Sequence, residues 1–148
     1  MATEQTLYDK AASNLKTARL VFDNREDDDA QLNYVGFHLQ QALELALKYL
    51  LEQSGIEYPK THDIDQLIRL ANESEVDLFL SEYLEDHAEM FSQWEAKSRY
   101  VLGYSIEQRK VERALEAVDE YLIGIAEKEK AEQESAVSED HKNNLDEV

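Results

Sequence analysis

The chain contains no cysteine, so a disulfide framework, a thiolate metal site and a cysteine nucleophile are all excluded. Glycine and proline are scarce as well, at four and one among 148 residues, too few to punctuate the many turns of an all-β domain. No apolar run approaches the about 18 residues that a membrane span needs. The opening, Met1 to Thr6, has neither the basic start nor the apolar stretch of a secretory signal. A cytoplasmic protein with no membrane association is expected. Positive charge is also in short supply: 15 Lys and Arg stand against 33 Asp and Glu, a net charge of -18. That balance opposes nonspecific attraction to nucleic acid or to an anionic membrane, so any RNA contact must be local. Missing too are a His-Glu-x-x-His pair, a Walker loop and a dinucleotide fingerprint. The residues three before the four histidines are Val35, Pro59, Leu84 and Ser138, where a di-iron bundle would need glutamates. Neither a metal nor a cofactor is expected.

What the chain does have is helical periodicity along nearly all of one domain's length. Leu7, Ala11, Leu15, Ala18 and Phe22 place a first helix at about residues 6–23, ended by the acidic run Glu26 to Asp29. Asp28 or Asp29 can cap the next helix, because a carboxylate both accepts its unpaired amides and suits its positive end. From Tyr34 to Gly55 that second helix has two distinct faces. Val35, Leu39, Ala42, Leu43, Ala46, Leu47 and Leu50 form a buried stripe. Phe37, Gln41, Glu44 and Lys48 line up on the other side, with Tyr34 and Leu45 beside them. Gly55 suits a left-handed helix stop. Pro59 and the Asp63-x-x-Gln66 capping box then open a shorter helix through Ile64, Leu67, Ile68 and Ala71.

Leu80, Leu84, His87, Phe91 and Trp94, widened by Phe79, Tyr83 and Met90, predict one further helix. A last helix is expected to open at a Ser105-x-x-Gln108 capping box and to run along Val111, Ala114, Leu115, Val118, Leu122 and Ile125. The apolar pattern stops after Glu127, and the segment from Glu127 to Val148 carries eight acidic against three basic residues. Residues 1–127 therefore read as a helical domain and residues 128–148 as an acidic tail, frayed helix giving way to disorder. No internal repeat is visible.

Two regions invite a functional reading. Lys97, Arg99, Arg109, Lys110 and Arg113 outnumber Glu107 and Glu112 in one window, with Tyr100 and Tyr104 between them. A positive helix start beside aromatic rings can hold a phosphate and stack a base, or the same groups can simply pair with the acidic surface. On the second helix, Glu44 and Lys48 have the spacing of an ordinary surface ion pair. Tyr34, Phe37 and Leu45 are poor choices for a solvated face, which makes a dimer or partner surface the alternative. Among the histidines, His62 lies between Thr61 and Asp63 at a helix start, where a local hydrogen bond is the simplest role, and His38 and His87 sit on or beside apolar stripes.

Gln40-Gln41-Ala42-x-Glu44-x-x-x-Lys48, then Gly55, Pro59-x-Thr61-His62-Asp63-Ile64, Leu67 and finally Ser98-Arg99-Tyr100 together resemble the HEPN domain. The likeness covers residues from about 5 to 126. It implies an all-α fold, an antiparallel up-and-down bundle of four long helices plus a short one, usually dimeric and often paired with a minimal nucleotidyltransferase as toxin and antitoxin. In a dimer of that kind the second helix would pack against its copy, with Gln41 and Lys48 near the groove. Many members are metal-independent ribonucleases whose signature is an arginine with a histidine after four to six intervening residues. Histidine can move the 2'-hydroxyl proton and arginine can steady the phosphate charge. Here the arginine is Arg99, and positions 104 to 106 are Tyr104, Ser105 and Ile106.

The expectation is accordingly a homodimer without the family's ribonuclease activity, binding a nucleotide, a partner nucleotidyltransferase, or both. Its candidate contacts are Tyr34, Phe37, Gln41, Glu44, Lys48, Lys97, Arg99, Tyr100 and Arg109. One alternative is RNA cleavage by a variant site of Arg99 with Tyr104 or a displaced His62. Another is an acidic adaptor whose basic partner is released by salt.

Overall fold

Thr6 opens the first helix with a reciprocal capping box: its Oγ1 accepts from the Asp9 amide at 3.1 Å and its own amide donates to Asp9 Oδ2 at 2.9 Å. The computed structural model describes residues 4–146, and side chains as far as Val137. Six helices follow one another, α1 (Leu7–Asp23), α2 (Asp29–Gln53), α3 (Ile64–Glu73), α4 (Glu82–Asp86), α5 (Ala88–Tyr100) and α6 (Gln108–Asp146). No strand occurs among the described residues.

Local chemistry sets most of the helix ends. Asp28 caps α2 by accepting from the Ala30 amide at 3.0 Å. Gly55 closes the same helix at φ +74, where its amide reaches the Glu52 carbonyl at 3.0 Å and the Ile56 amide reaches Leu51 at 2.9 Å. This is the paired C-terminal motif that favours glycine. Asp63 caps α3 by accepting from the Gln66 amide, while its own amide donates to Thr61 Oγ1 at 3.0 Å. Thr61, rather than the Gln66 side chain, thus completes that cap.

The bundle is built by α1, α2, α5 and α6 around α2, which meets α1, α3, α5 and α6. Its sense follows from cross-contacts. The Tyr8 hydroxyl, near the start of α1, donates to the Leu122 carbonyl, about four turns into α6, at 2.7 Å, and its ring lies 5.8 Å from that of Tyr49, near the end of α2. Tyr49 in turn donates to Glu129 on α6. At the opposite end, Asn33 of α2 donates to the Tyr104 carbonyl just before α6. So α2 and α6 run together, and α1 and α5 run against them.

Four expectations are corrected here. The helix predicted through Leu80 to Trp94 is two helices. Phe79 takes a left-handed φ of +56 before α4, and the chain leaves helical geometry again at His87, φ -107 and ψ 14. The apolar spacing persists because Leu84, Ala88, Phe91 and Trp94 are buried on both sides of that joint, and periodicity does not register a one-residue kink. The Ser105 capping box does not open α6, which starts at Gln108 with the Glu107 carbonyl accepting from Lys110 and Val111. On α2 the fully buried residue near the end is Leu51, whereas Leu50 is half-buried. Finally, the boundary at Glu127 has no counterpart in the backbone, which stays helical to Asp146. It is visible in packing instead: Ile125 is the last buried residue described, and residues 131–137 are all exposed. Residues 147 and 148 of the expected tail lie outside the described residues.

One long-range hydrogen bond ties the α3–α4 connection to the bundle: the buried Tyr121 hydroxyl donates to the Leu78 carbonyl at 2.6 Å. Tyr121→Phe is expected to cost about 1–2 kcal/mol in urea unfolding, because it leaves a shielded carbonyl without its partner.

Candidate functional site

The second face of α2 turns inward. Glu44 is 3% exposed and Gln40 fully buried, and together they organise the turn that enters α3. Gln40 Nε2 donates to Glu44 Oε1 and to the His62 carbonyl, each at 3.0 Å. Gln41 Nε2 donates to Gln40 Oε1 at 2.7 Å. Lys48 Nζ reaches Glu44 Oε2 at 3.1 Å and stands 5.6 Å from the Tyr58 ring centroid. His62 Nδ1 lies 2.9 Å from Glu44 Oε1. An ionised carboxylate only accepts, so His62 carries a hydrogen on Nδ1 there and its basic nitrogen is Nε2. Gln41, Glu44 and Lys48 are thus joined in one polar network, with Glu44 buried and Gln41 and Lys48 half-buried.

Tyr34 and Phe37, one turn nearer the start of α2, have a different fate. With Ala30, Asn33 and His38 they face Ser98 and Arg99 of α5 across a cavity of about 430 Å³. Tyr34 is 59% exposed at its mouth. Phe37 meets the His38 ring edge-on at 5.5 Å; His38 Nδ1 is bonded to Asn14 Oδ1 at 2.9 Å, and burial lowers the His38 pKa, which favours the neutral ring. Behind the cavity α2 and α5 approach closely at Gly36, where a Cβ would come within 3.3 Å of the Trp94 ring.

Arg99 is aimed by its own helix. Nη1 donates to Glu95 Oε1 at 2.8 Å, Glu95 being 6% exposed, and Nη2 donates to the Tyr100 hydroxyl at 3.2 Å. Two of the five guanidinium donors are used in this way. Two residues lining the same cavity, Asn33 and Ser98, each hold a side-chain oxygen (Oδ1 and Oγ) that is buried without a hydrogen-bond partner. Leaving such atoms unpaired costs about 1–3 kcal/mol each.

The basic window expected around Arg99 is divided. Arg109, Lys110 and Arg113 line a separate cleft with Asp86, Glu89 and Glu107, where Arg113 covers the Tyr83 ring at 5.7 Å. Lys97 points along α5 to Gln93 at 3.5 Å and stands 5.9 Å from the Tyr104 ring. Burial raises the Tyr104 pKa above its ordinary value. Tyr100 is 75% exposed, beside the wholly exposed Leu102. His62 belongs to a groove with Asp63, Asp65, Arg69, Glu89 and Glu95; burial, with Asp63 and Glu89 close by, raises the Asp65 pKa. Among the described residues, no group of three or more His, Asp or Glu side chains could hold a metal ion, and no helix is long and apolar enough to cross a membrane.

Asn33, Ser98 and Glu95 were not among the expected site residues. Glu95 could have been found had the helix predicted through Trp94 been extended to Arg99, which lies four residues after Glu95. Ser98 entered only as part of the Ser98-Arg99-Tyr100 motif and Asn33 carried no signal, because only the packing of α5 on α2 puts them at one cavity. The chain matches the family model described as HEPN domain over residues 4–129. No curated protein and no solved structure matches it.

Proposed function

Because the chain belongs to the HEPN domain family, we propose that it is a binding module without ribonuclease activity, working as a homodimer that takes a nucleotide between α2 and α5, alone or together with a partner nucleotidyltransferase. The observation that carries this reading is the cavity walled by Tyr34, Phe37 and His38, with Arg99 at its edge. Aromatic walls suit a base, and the remaining guanidinium donors suit a phosphate. The exposed Tyr34, Tyr100, Val101 and Leu102 supply the apolar surface on which a second copy would pack.

For the catalytic alternative, the two bases named from the sequence, Tyr104 and His62, are poorly suited. A phenol pushed above its normal pKa, as at Tyr104, is protonated near neutrality. His62 lies among Asp63, Asp65, Glu89 and Glu95, whose charge repels a phosphodiester.

Titration with AMP and ATP, followed by chemical shifts and thermal unfolding, is expected to be saturable. Phe37→Ala and Arg99→Lys should each weaken binding about tenfold or more, the first by removing a stacking wall and the second by removing the planar fork. Absence of any response at millimolar nucleotide would defeat the ligand half of the proposal. Cleavage of single-stranded or structured RNA that disappears in Arg99→Ala would defeat the noncatalytic half. Sedimentation is expected to report a dimer that Leu102→Glu dissociates.

A further inference from the structure

At the other end of α2 a second cleft, of about 610 Å³, opens between the α2 terminus, the α3–α4 connection and α6. Its floor is apolar, made by the half-buried Leu50, Ile56 and Val76 and the buried Ile125. Its rim carries four carboxylates, Glu75, Asp77, Glu129 and Glu132, against one cation, Lys128. Phe79 stands beside it, 47% exposed and held at φ +56. A bulky residue adopts that backbone region at a cost of about 1–3 kcal/mol. The turn is held on both sides: Asp77 Oδ1 accepts from the Phe79 amide at 2.8 Å, and Tyr121 holds the preceding carbonyl, that of Leu78. The ring is therefore presented outward, and Lys128 Nζ already occupies its face at 3.7 Å from the centroid.

We propose that this cleft docks a basic segment of a partner protein, with one large aliphatic side chain on the Leu50, Ile56 and Val76 floor against Phe79 and flanking lysines or arginines over the carboxylate rim. Charge complementarity selects this occupant. A second copy of a chain with net charge -18 and an RNA backbone are both repelled by the rim, whereas a basic peptide is drawn to it. The apolar floor separates the cleft from ordinary acidic surface, since it gives a partner something to bury at the centre of a charged ring. The Lys128 contact supplies a further argument: the Phe79 face takes a cation in the unbound protein, and a partner's arginine can take the same place. The site lies at the opposite end of α2 from the Arg99 cavity, so either can fail alone.

The probe is a short synthetic peptide of lysine and arginine around a single leucine, compared with the same peptide bearing glutamate at every basic position. Titration calorimetry on the full chain is expected to show saturable binding of the basic peptide alone, weakened about tenfold when ionic strength is raised from low to physiological. Phe79→Gly should weaken it about tenfold or more by removing the anchor. Glycine accepts a positive φ, so the thermal midpoint of this variant should be unchanged or higher, which separates lost binding from lost folding. Glu75→Lys with Glu132→Lys should abolish binding. No saturable binding at millimolar peptide, equal binding by Phe79→Gly, or equal affinity for the acidic peptide would each overturn the proposal.

Discussion

Glu44→Ala is expected to destabilise the protein by about 3–5 kcal/mol, because removing one member of a buried ion pair leaves the other charge without compensation. Glu44 is 3% exposed, and the side chain of Lys48 that it holds is only 13% exposed. The same carboxylate accepts from Gln40 and faces His62, so the substitution also strands an amide and loosens the turn into α3. Glu44→Gln should cost less, since an amide oxygen can still accept from one neighbour while the Lys48 charge goes unmatched. Combining Glu44→Leu with Lys48→Met should recover much of the loss, as apolar replacement of both partners removes two desolvated charges together. Urea unfolding of the set is decisive. If Glu44→Ala shifts the free energy by less than about 1 kcal/mol, the pair behaves as an exposed one and Glu44 is not the hub described.

Alkaline pH should produce the second large effect. Burial pushes the hydroxyls of Tyr49 and Tyr121 far above the ordinary tyrosine value of 10.0, and the hydrogen bond to Glu129 pushes Tyr49 further. Tyr8, Tyr58, Tyr83 and Tyr104 are raised too, with burial the leading cause in each. The folded state therefore holds these protons more tightly than the unfolded chain does. The stability they contribute is fully present below the unfolded pKa near 10 and is lost as pH rises above it. The Tyr49 and Tyr121 hydroxyls are expected to ionise only as the bundle unfolds. Near-ultraviolet titration should show a cooperative tyrosinate step coincident with loss of helical circular dichroism. Tyr121→Phe, the less stable protein at neutral pH, should be the less sensitive of the two to alkali. Normal ionisation of all eight tyrosines with the helices intact would contradict this account.

The helix ends were legible because each depends on atoms a few residues apart. Asp28, Gly55 and Asp63 act where the sequence places them, and the apolar stripes of α1, α2, α3 and α6 bury most of the residues that their spacing selects, leaving Leu7, Phe22, Leu50 and Ile68 half-buried. The break at His87 was not legible, because Leu84 and Phe91 keep the same phase on either side of it. The candidate site was legible in part. Tyr34, Phe37 and Arg99 were named from the sequence and share a cavity, whereas Arg109 belongs to another cleft and Lys97 points along α5.

By itself the sequence determined an all-helical chain without thiol chemistry and with a strongly acidic balance, since composition and short-range spacing suffice for each. Only the tertiary structure decided what α2 does with its second face. An i,i+4 Glu44 and Lys48 pair has the same spacing on a wet surface as in a core. Its meaning came from the turn at His62 closing over it, while α5 crossed the earlier turns of α2 and left Asn33, Phe37 and Ser98 around an open space. Local bonds fix where a helix starts and stops; which of its faces meets solvent depends on partners tens of residues away.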